Sequence, residues 1–198
     1  MRKSALVSAA LLSLLATTGC RTPGKTPVPS ELPISVVDYP ATTVLVLAER
    51  GPYSDEEIGG TIERFFRYVE DRGITPQGHL LGAYYDAEQG RLPVHDPKKT
   101  PVAELRYEIR IPVAPGTTAE PPFQIVRQPA MKTATVVLVG PYDRIPLRYP
   151  EIKVWIRRNG WKEAPDMPLL EVYLVNPGSG VPPEEYKTEV HFPIAPAE

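Results

Sequence analysis

The tripeptide Gly-Pro-Tyr occurs twice in this chain, at Gly51–Tyr53 and Gly140–Tyr142. Each copy follows a Pro-Ala pair, Pro40-Ala41 or Pro129-Ala130, at the same distance. The correspondence continues in order: Arg72-Gly73 with Asn159-Gly160, Ala83-Tyr84-Tyr85 with Glu171-Val172-Tyr173, and Tyr107–Pro112 with Thr188–Pro193. Ordered self-similarity of this kind marks a duplicated supersecondary unit. It predicts two copies, residues 34–115 and 122–194, and restricts the fold to what one such unit can build twice.

Periodicity gives each copy the order strand, strand, helix, strand, strand. Val44–Leu47 and Thr135–Val139 are rich in β-branched and aliphatic residues and end at the Gly-Pro-Tyr turns. Ser54 and Glu57 have capping-box spacing, and Ile58, Ile62, Phe65, Phe66 and Val69 then share one helical face. Gly73 supplies a left-handed cap. In the second copy Asp143 can cap a helix carrying Ile145, Tyr149, Ile152 and Ile156, with Trp155 in its core. Pro150 must kink that helix or delay its start. The expected fold class is α+β: two pseudo-symmetric strand-helix-strand-strand repeats, each an antiparallel sheet with one helix.

One strand carries an anomaly. Along Leu169–Val175, side chains alternate, so Leu169, Glu171, Tyr173 and Val175 share one face and Leu170, Val172 and Leu174 the other. Both faces are apolar except for Glu171, and a buried carboxylate is costly unless it is paired or hydrogen-bonded. Its partner is either a ligand or a buried donor. Its counterpart in the repeat is Ala83, so a two-fold arrangement sets a carboxylate opposite a small side chain. Glu108 and Glu189 differ, because Arg106 and Arg110, or Lys187 and His191, share their faces. A solvated face or cross-strand ion pairs account for them.

The N-terminus has the pattern of an export signal. Met1-Arg2-Lys3 is basic, Ala5–Ala16 is a short apolar run, and Thr17-Thr18-Gly19-Cys20 follows. A small residue before Cys20 resembles a bacterial lipobox, in which the cysteine is lipidated and becomes the mature terminus. An ordinary cleaved signal is the alternative. Residues 1–20 are thus a signal segment, 21–33 a Pro/Thr-rich tether, and 34–195 the folded domain. Cys20 is the single cysteine, which excludes an internal disulfide and any multi-cysteine metal site. His79, His95 and His191 lack metal-ligand spacing, and a net charge of -2 offers no basic footprint for nucleic acid.

Taken together, the paired Pro-Ala, Gly-Pro-Tyr, helix-Gly and Glu-Val-Tyr-Leu elements, ending in Glu184-Glu185-Tyr186-Lys187-Thr188-Glu189-Val190, resemble the GyrI-like small-molecule-binding domain. That module is also the effector-binding domain of several multidrug-responsive regulators. The resemblance implies a ligand groove between two related modules. It implies that Glu171 contacts the positive charge of lipophilic cations, with Tyr173 and Tyr186 in the pocket and Tyr53 and Tyr142 at its edges. No helix-turn-helix domain accompanies it here, so transcriptional regulation is not carried over.

The leading expectation is a non-catalytic small-molecule-binding protein, held at a membrane by its N-terminal lipid and facing the periplasm. A carboxylate among tyrosines suits an organic cation, since Coulomb attraction strengthens at low effective dielectric and aromatic faces add about 0.5–2 kcal/mol each. No catalytic residue, metal or cofactor is assigned. The alternative is a hydrolase of reactive small molecules with Glu171 as general acid/base, which requires a raised pKa. A weaker alternative is haem binding, because haem-binding proteins of the SOUL family are similar in fold.

Overall fold

A computed structural model describes residues 32–85, 105–164 and 166–197, apart from the side chain of Asp55. The expected signal segment, Cys20 and the tether up to residue 31 lie outside the described residues. No helix among the described residues is long and apolar enough to cross a membrane.

Strands β1 (Ser35–Tyr39) and β2 (Thr42–Arg50) lead into helix α1 (Asp55–Asp71), then β3 (Leu81–Tyr84), β4 (Arg106–Pro112) and β5 (Phe123–Gln128). After them come β6 (Met131–Val139), α2 (Tyr149–Arg158), β7 (Trp161–Glu163), β8 (Leu169–Val175) and β9 (Lys187–Pro196). The Ser54 hydroxyl accepts from the Glu57 N–H and caps α1. Gly73, at φ +59°, takes the left-handed conformation expected just past its end. Pro150 delays α2: two 3-10 turns, Tyr142–Arg144 and Pro146–Arg148, occupy the stretch before it, and proline sits in the first turn of the helix. There its missing N–H costs no intrahelical bond.

Eight strands join in the order β1-β6-β9-β8-β3-β4-β2-β5, every pairing antiparallel, while β7 pairs with the end of β9. The expectation of separate sheets is corrected by the direct pairing of β3 with β8, from Leu81↔Val172 to Tyr84↔Leu169. Both strands are buried at the centre of the fold. Left as edges, they would strand backbone N–H and C=O groups away from water, and pairing satisfies them. β1 precedes β2 but pairs with β6, whereas β5 precedes β6 but pairs with β2.

Both helices pack on one face of this sheet. Phe65 and Val69 of α1, and Ile152 and Ile156 of α2, join Leu45, Leu47, Ile109, Val190 and Phe192 in a single core. Full burial of side chains of this size stabilises by about 1.5–3 kcal/mol each. The opposite face buries Leu81, Ala83, Leu170 and Val172, with Tyr39 and Met131 packed against them.

The sheet is curled. Tyr39 of β1 and Gln128 of β5 belong to opposite ends of the strand order, about 34 Å apart in a flat sheet with strands about 4.8 Å apart. Yet the Gln128 amide acts on the Tyr39 hydroxyl, whose pKa is raised chiefly by burial. The curl encloses polar groups, and the expectation of a solvated face around Glu108 and Glu189 is corrected accordingly. Arg110 and His191 are 5% and 3% exposed, and they hold Glu108 and Glu189 at 2.6 and 3.1 Å. Both contacts, an ion pair for Arg110 and a hydrogen bond for His191, run two residues along a strand rather than across it.

Candidate functional site

A cleft of about 540 Å³ opens on the helical face of the sheet. Ile58, Ile62 and Phe66 of α1 form one wall, and Leu80, just before β3, contributes the floor with Tyr84 of β3. The far side is built by Tyr142, Tyr173 and Tyr186 with the Asn176–Gly178 turn. Each α1 residue is at the spacing that places it on one helical face, which explains why Phe66 stays 43% exposed while Phe65 is buried in the core.

The tyrosines are ordered by contacts with each other. Tyr142 packs edge-on against Tyr173 at 5.3 Å and lies 5.3 Å from Tyr186. The Tyr186 carbonyl accepts from the Gly140 N–H, tying its segment to the Gly-Pro-Tyr turn. Burial pushes the Tyr142 hydroxyl pKa up, followed in effect by Tyr186, Glu171 and Tyr84.

Glu171 itself is fully buried and does not line the cleft. Tyr149 of α2 donates to its Oε1, and Tyr173 donates to its Oε2 at 3.1 Å. A hydroxyl has one proton to give, so Tyr84, 2.7 Å from the Tyr173 hydroxyl, donates to it. The result is a chain from cleft to carboxylate: Tyr84 to Tyr173 to Glu171. Among the partners the sequence left open for Glu171, buried hydroxyl donors are therefore present, and one of them also faces the cleft.

The residue opposite Glu171 is Gly82; Ala83 pairs with Leu170 and belongs to the other face. The expectation that sets Ala83 opposite Glu171 is thus corrected by one residue. Gly82 is needed here, because a Cβ would stand 2.7 Å from the Tyr84 ring edge and hydroxyl and 2.8 Å from the Tyr173 hydroxyl.

Of the residues expected at the site, Tyr173, Tyr142 and Tyr186 line the cleft and Glu171 lies directly behind Tyr173. Tyr53 is not among the lining residues. Its ring packs on Tyr84 and Tyr107 at 5.2 and 5.7 Å, and its hydroxyl donates to the Arg106 carbonyl. It braces Tyr84 from behind. Tyr84, Tyr149 and Gly82 escaped the sequence reading. The need of a buried carboxylate for donors was the signal for Tyr149, the tyrosine of the nearest predicted helix. The described residues contain no cluster of His, Cys, Asp and Glu able to hold a metal ion.

The model of the GyrI-like small molecule binding domain family matches residues 32–195, and the chain belongs to that family. Solved structures of similar fold include the C-terminal domain of EcmrR, at TM-score 0.71 and 19% identity over 85% of this chain and 100% of that one. In the EcmrR–DNA complex the chain spans 57% of the EcmrR chain, covering 83% of its own length at TM-score 0.69 and 19% identity. A hydrolase from Listeria innocua aligns at TM-score 0.58 and 14% identity, over 82% of this chain and 91% of that one. SAV2435 bound to tetraphenylphosphonium aligns at 0.53 and 14%, over 82% and 93%. No curated protein matches the sequence at a significant level.

Proposed function

We propose that this protein is a non-catalytic binder of amphipathic cations, which it takes into the tyrosine-lined cleft with Glu171 supplying the negative charge. The carrying observation is the hydroxyl chain from the cleft through Tyr173 to a carboxylate that is 0% exposed. A buried charge acts through a low effective dielectric, which strengthens its attraction for a cation at the cleft wall. The apolar wall of Ile58, Ile62 and Phe66 suits the lipophilic body of such a ligand, and the tyrosine faces suit its charge. The tetraphenylphosphonium bound by SAV2435, a protein of similar fold, is a ligand of this class.

Binding is favoured over hydrolysis because the carboxylate does not itself line the cleft, where a general base would have to reach the substrate. Haem binding finds no histidine among the cleft-lining residues. The two strand-helix-strand-strand units are proposed to be related by a pseudo-two-fold axis between β3 and β8, supported by the mirrored contacts Tyr53–Tyr84 and Tyr142–Tyr173. Export and acylation at Cys20 belong to the same proposal. They would place the cleft where lipophilic cations cross the envelope.

Calorimetric titration with tetraphenylphosphonium and tetraphenylborate tests this reading, since the two ions share shape and differ in sign. The cation should bind at least tenfold more tightly. Equal affinities, or preference for the anion, would remove the charge from the account.

A further inference from the structure

A second cavity, of about 170 Å³, lies on the face of the sheet away from the helices. Val126, Met131, Met167 and Leu170 give it apolar walls, and Tyr85, Arg110 and Gln128 form one polar corner. That corner is built and buried. Arg110 Nε and Nη2 bind Glu108 at 2.7 and 2.6 Å, Nη2 also reaches the Tyr85 hydroxyl at 3.0 Å, and Nη1 donates to Gln128 Oε1 at 2.8 Å. Tyr85 in turn donates to Glu108 Oε1 at 2.9 Å.

Among the described residues, two donors are left over. A guanidinium has five N–H groups, and these contacts use four, leaving one on Nη1. The bond from Arg110 fixes the orientation of the Gln128 amide, so its Nε2 must point the other way. Gln128 is only 3% exposed, and this nitrogen is buried without an acceptor among the described residues. Tyr39 is near enough to feel the amide without closing a hydrogen bond to it. Buried polar groups left without partners are rare in native folds, and each calls for an occupant. The cavity exceeds the roughly 30 Å³ share of a single water several-fold, and its walls away from the polar corner and Asp166 are apolar.

We propose that this cavity is a second ligand site, selective for a small neutral molecule that presents a carbonyl-type oxygen from an apolar body. The oxygen accepts from Gln128 Nε2 and Arg110 Nη1, and the body packs against Met131, Met167 and Leu170. Neutrality follows from the charges present. Glu108 already compensates Arg110, and Asp166 also lines the cavity, so an incoming anion would meet carboxylates without an uncompensated positive charge to offset them. This site is on the opposite face from the tyrosine cleft and stands or falls independently of it.

The chain has three methionines, Met1, Met131 and Met167, and two of them line this cavity, so methyl-¹³C-methionine spectra report on it directly. The protein is titrated with cyclohexanone, with methylenecyclohexane, which has the same shape and no acceptor, and with cyclohexanecarboxylate. Cyclohexanone should shift the Met131 and Met167 methyl signals saturably, and the other two probes should bind at least tenfold more weakly. Gln128→Leu should weaken cyclohexanone at least fivefold and leave tetraphenylphosphonium affinity unchanged. Equal binding of ketone and alkene by the wild-type protein would overturn the proposal in favour of a merely apolar void. Unmoved methionine signals up to the solubility limit of the ketone would overturn it outright.

Discussion

Glu171 lies directly across the sheet from Gly82, and the volume that a side chain at Gly82 would occupy is filled by Tyr84 and the Tyr173 hydroxyl. Charge and absence of bulk are therefore one device. The carboxylate needs a donor from Tyr173, and Tyr173 reaches it only because its neighbour on β3 has no Cβ.

Gly82→Ala should break that arrangement. A methyl group 2.7–2.8 Å from two tyrosines forces them to shift, and overpacking of this kind costs about 1–3 kcal/mol. The denaturant midpoint should fall with an unchanged m-value, and tetraphenylphosphonium affinity should fall with it. A variant as stable as wild type would show that the tyrosines move freely and that the chain of hydroxyls is not held by packing.

Much of this was legible in the sequence. Ser54–Glu57 and Gly73 marked α1, Pro150 marked the late start of α2, and alternation put Glu171 and Tyr173 on one face. The register of β3 against β8 was not legible. Tyr84 and Tyr85 are adjacent tyrosines, and matching the second rather than the first to Tyr173 moved the whole strand by one residue. With a period of two, a slip of one exchanges the faces: Ala83 took the place of Gly82, and Tyr84 was lost from the site. The curl of the sheet was equally hidden. It arises from long-range pairing, and only it explains why Arg110 and His191, on a face that alternation marks as polar, are buried.

His191 makes stability depend on pH. Burial lowers its pKa below the usual value of about 6.5, against the opposing pull of Glu189. Thr133 and Thr135 face its Nδ1 across the sheet, and the Tyr39 ring packs edge-on against it at 4.7 Å. A depressed histidine pKa means that the unfolded chain binds the proton more readily. The contribution is therefore fully present above about pH 6.5 and is lost as the pH falls below that value toward the folded-state pKa. Urea midpoints should drop between pH 7.5 and 5.5, and His191→Gln should make that decline shallower. An identical pH slope in both proteins would assign the effect to other groups.

Acylation at Cys20 is tested by metabolic labelling with a fatty-acid analogue. The wild-type protein should incorporate the label and fractionate with membranes, since several acyl chains anchor stably where one is marginal. Cys20→Ser should do neither. Equal labelling of the two proteins would show that Cys20 is not the acylated residue.

The central claim is that the charge on Glu171 selects the ligand, and Glu171→Gln tests it with little change in shape. Stability is a blunt readout for this variant, because removing a buried charge helps while the amide loses one of two acceptors for Tyr149 and Tyr173. Relative affinity is direct. Titrated into both proteins, tetraphenylphosphonium should lose about 2–4 kcal/mol of binding free energy in the variant, while the neutral triphenylphosphine oxide changes by less than twofold in affinity. Equal losses for the two ligands, or no loss for the cation, would contradict the account and leave Glu171 as a fixture of the core.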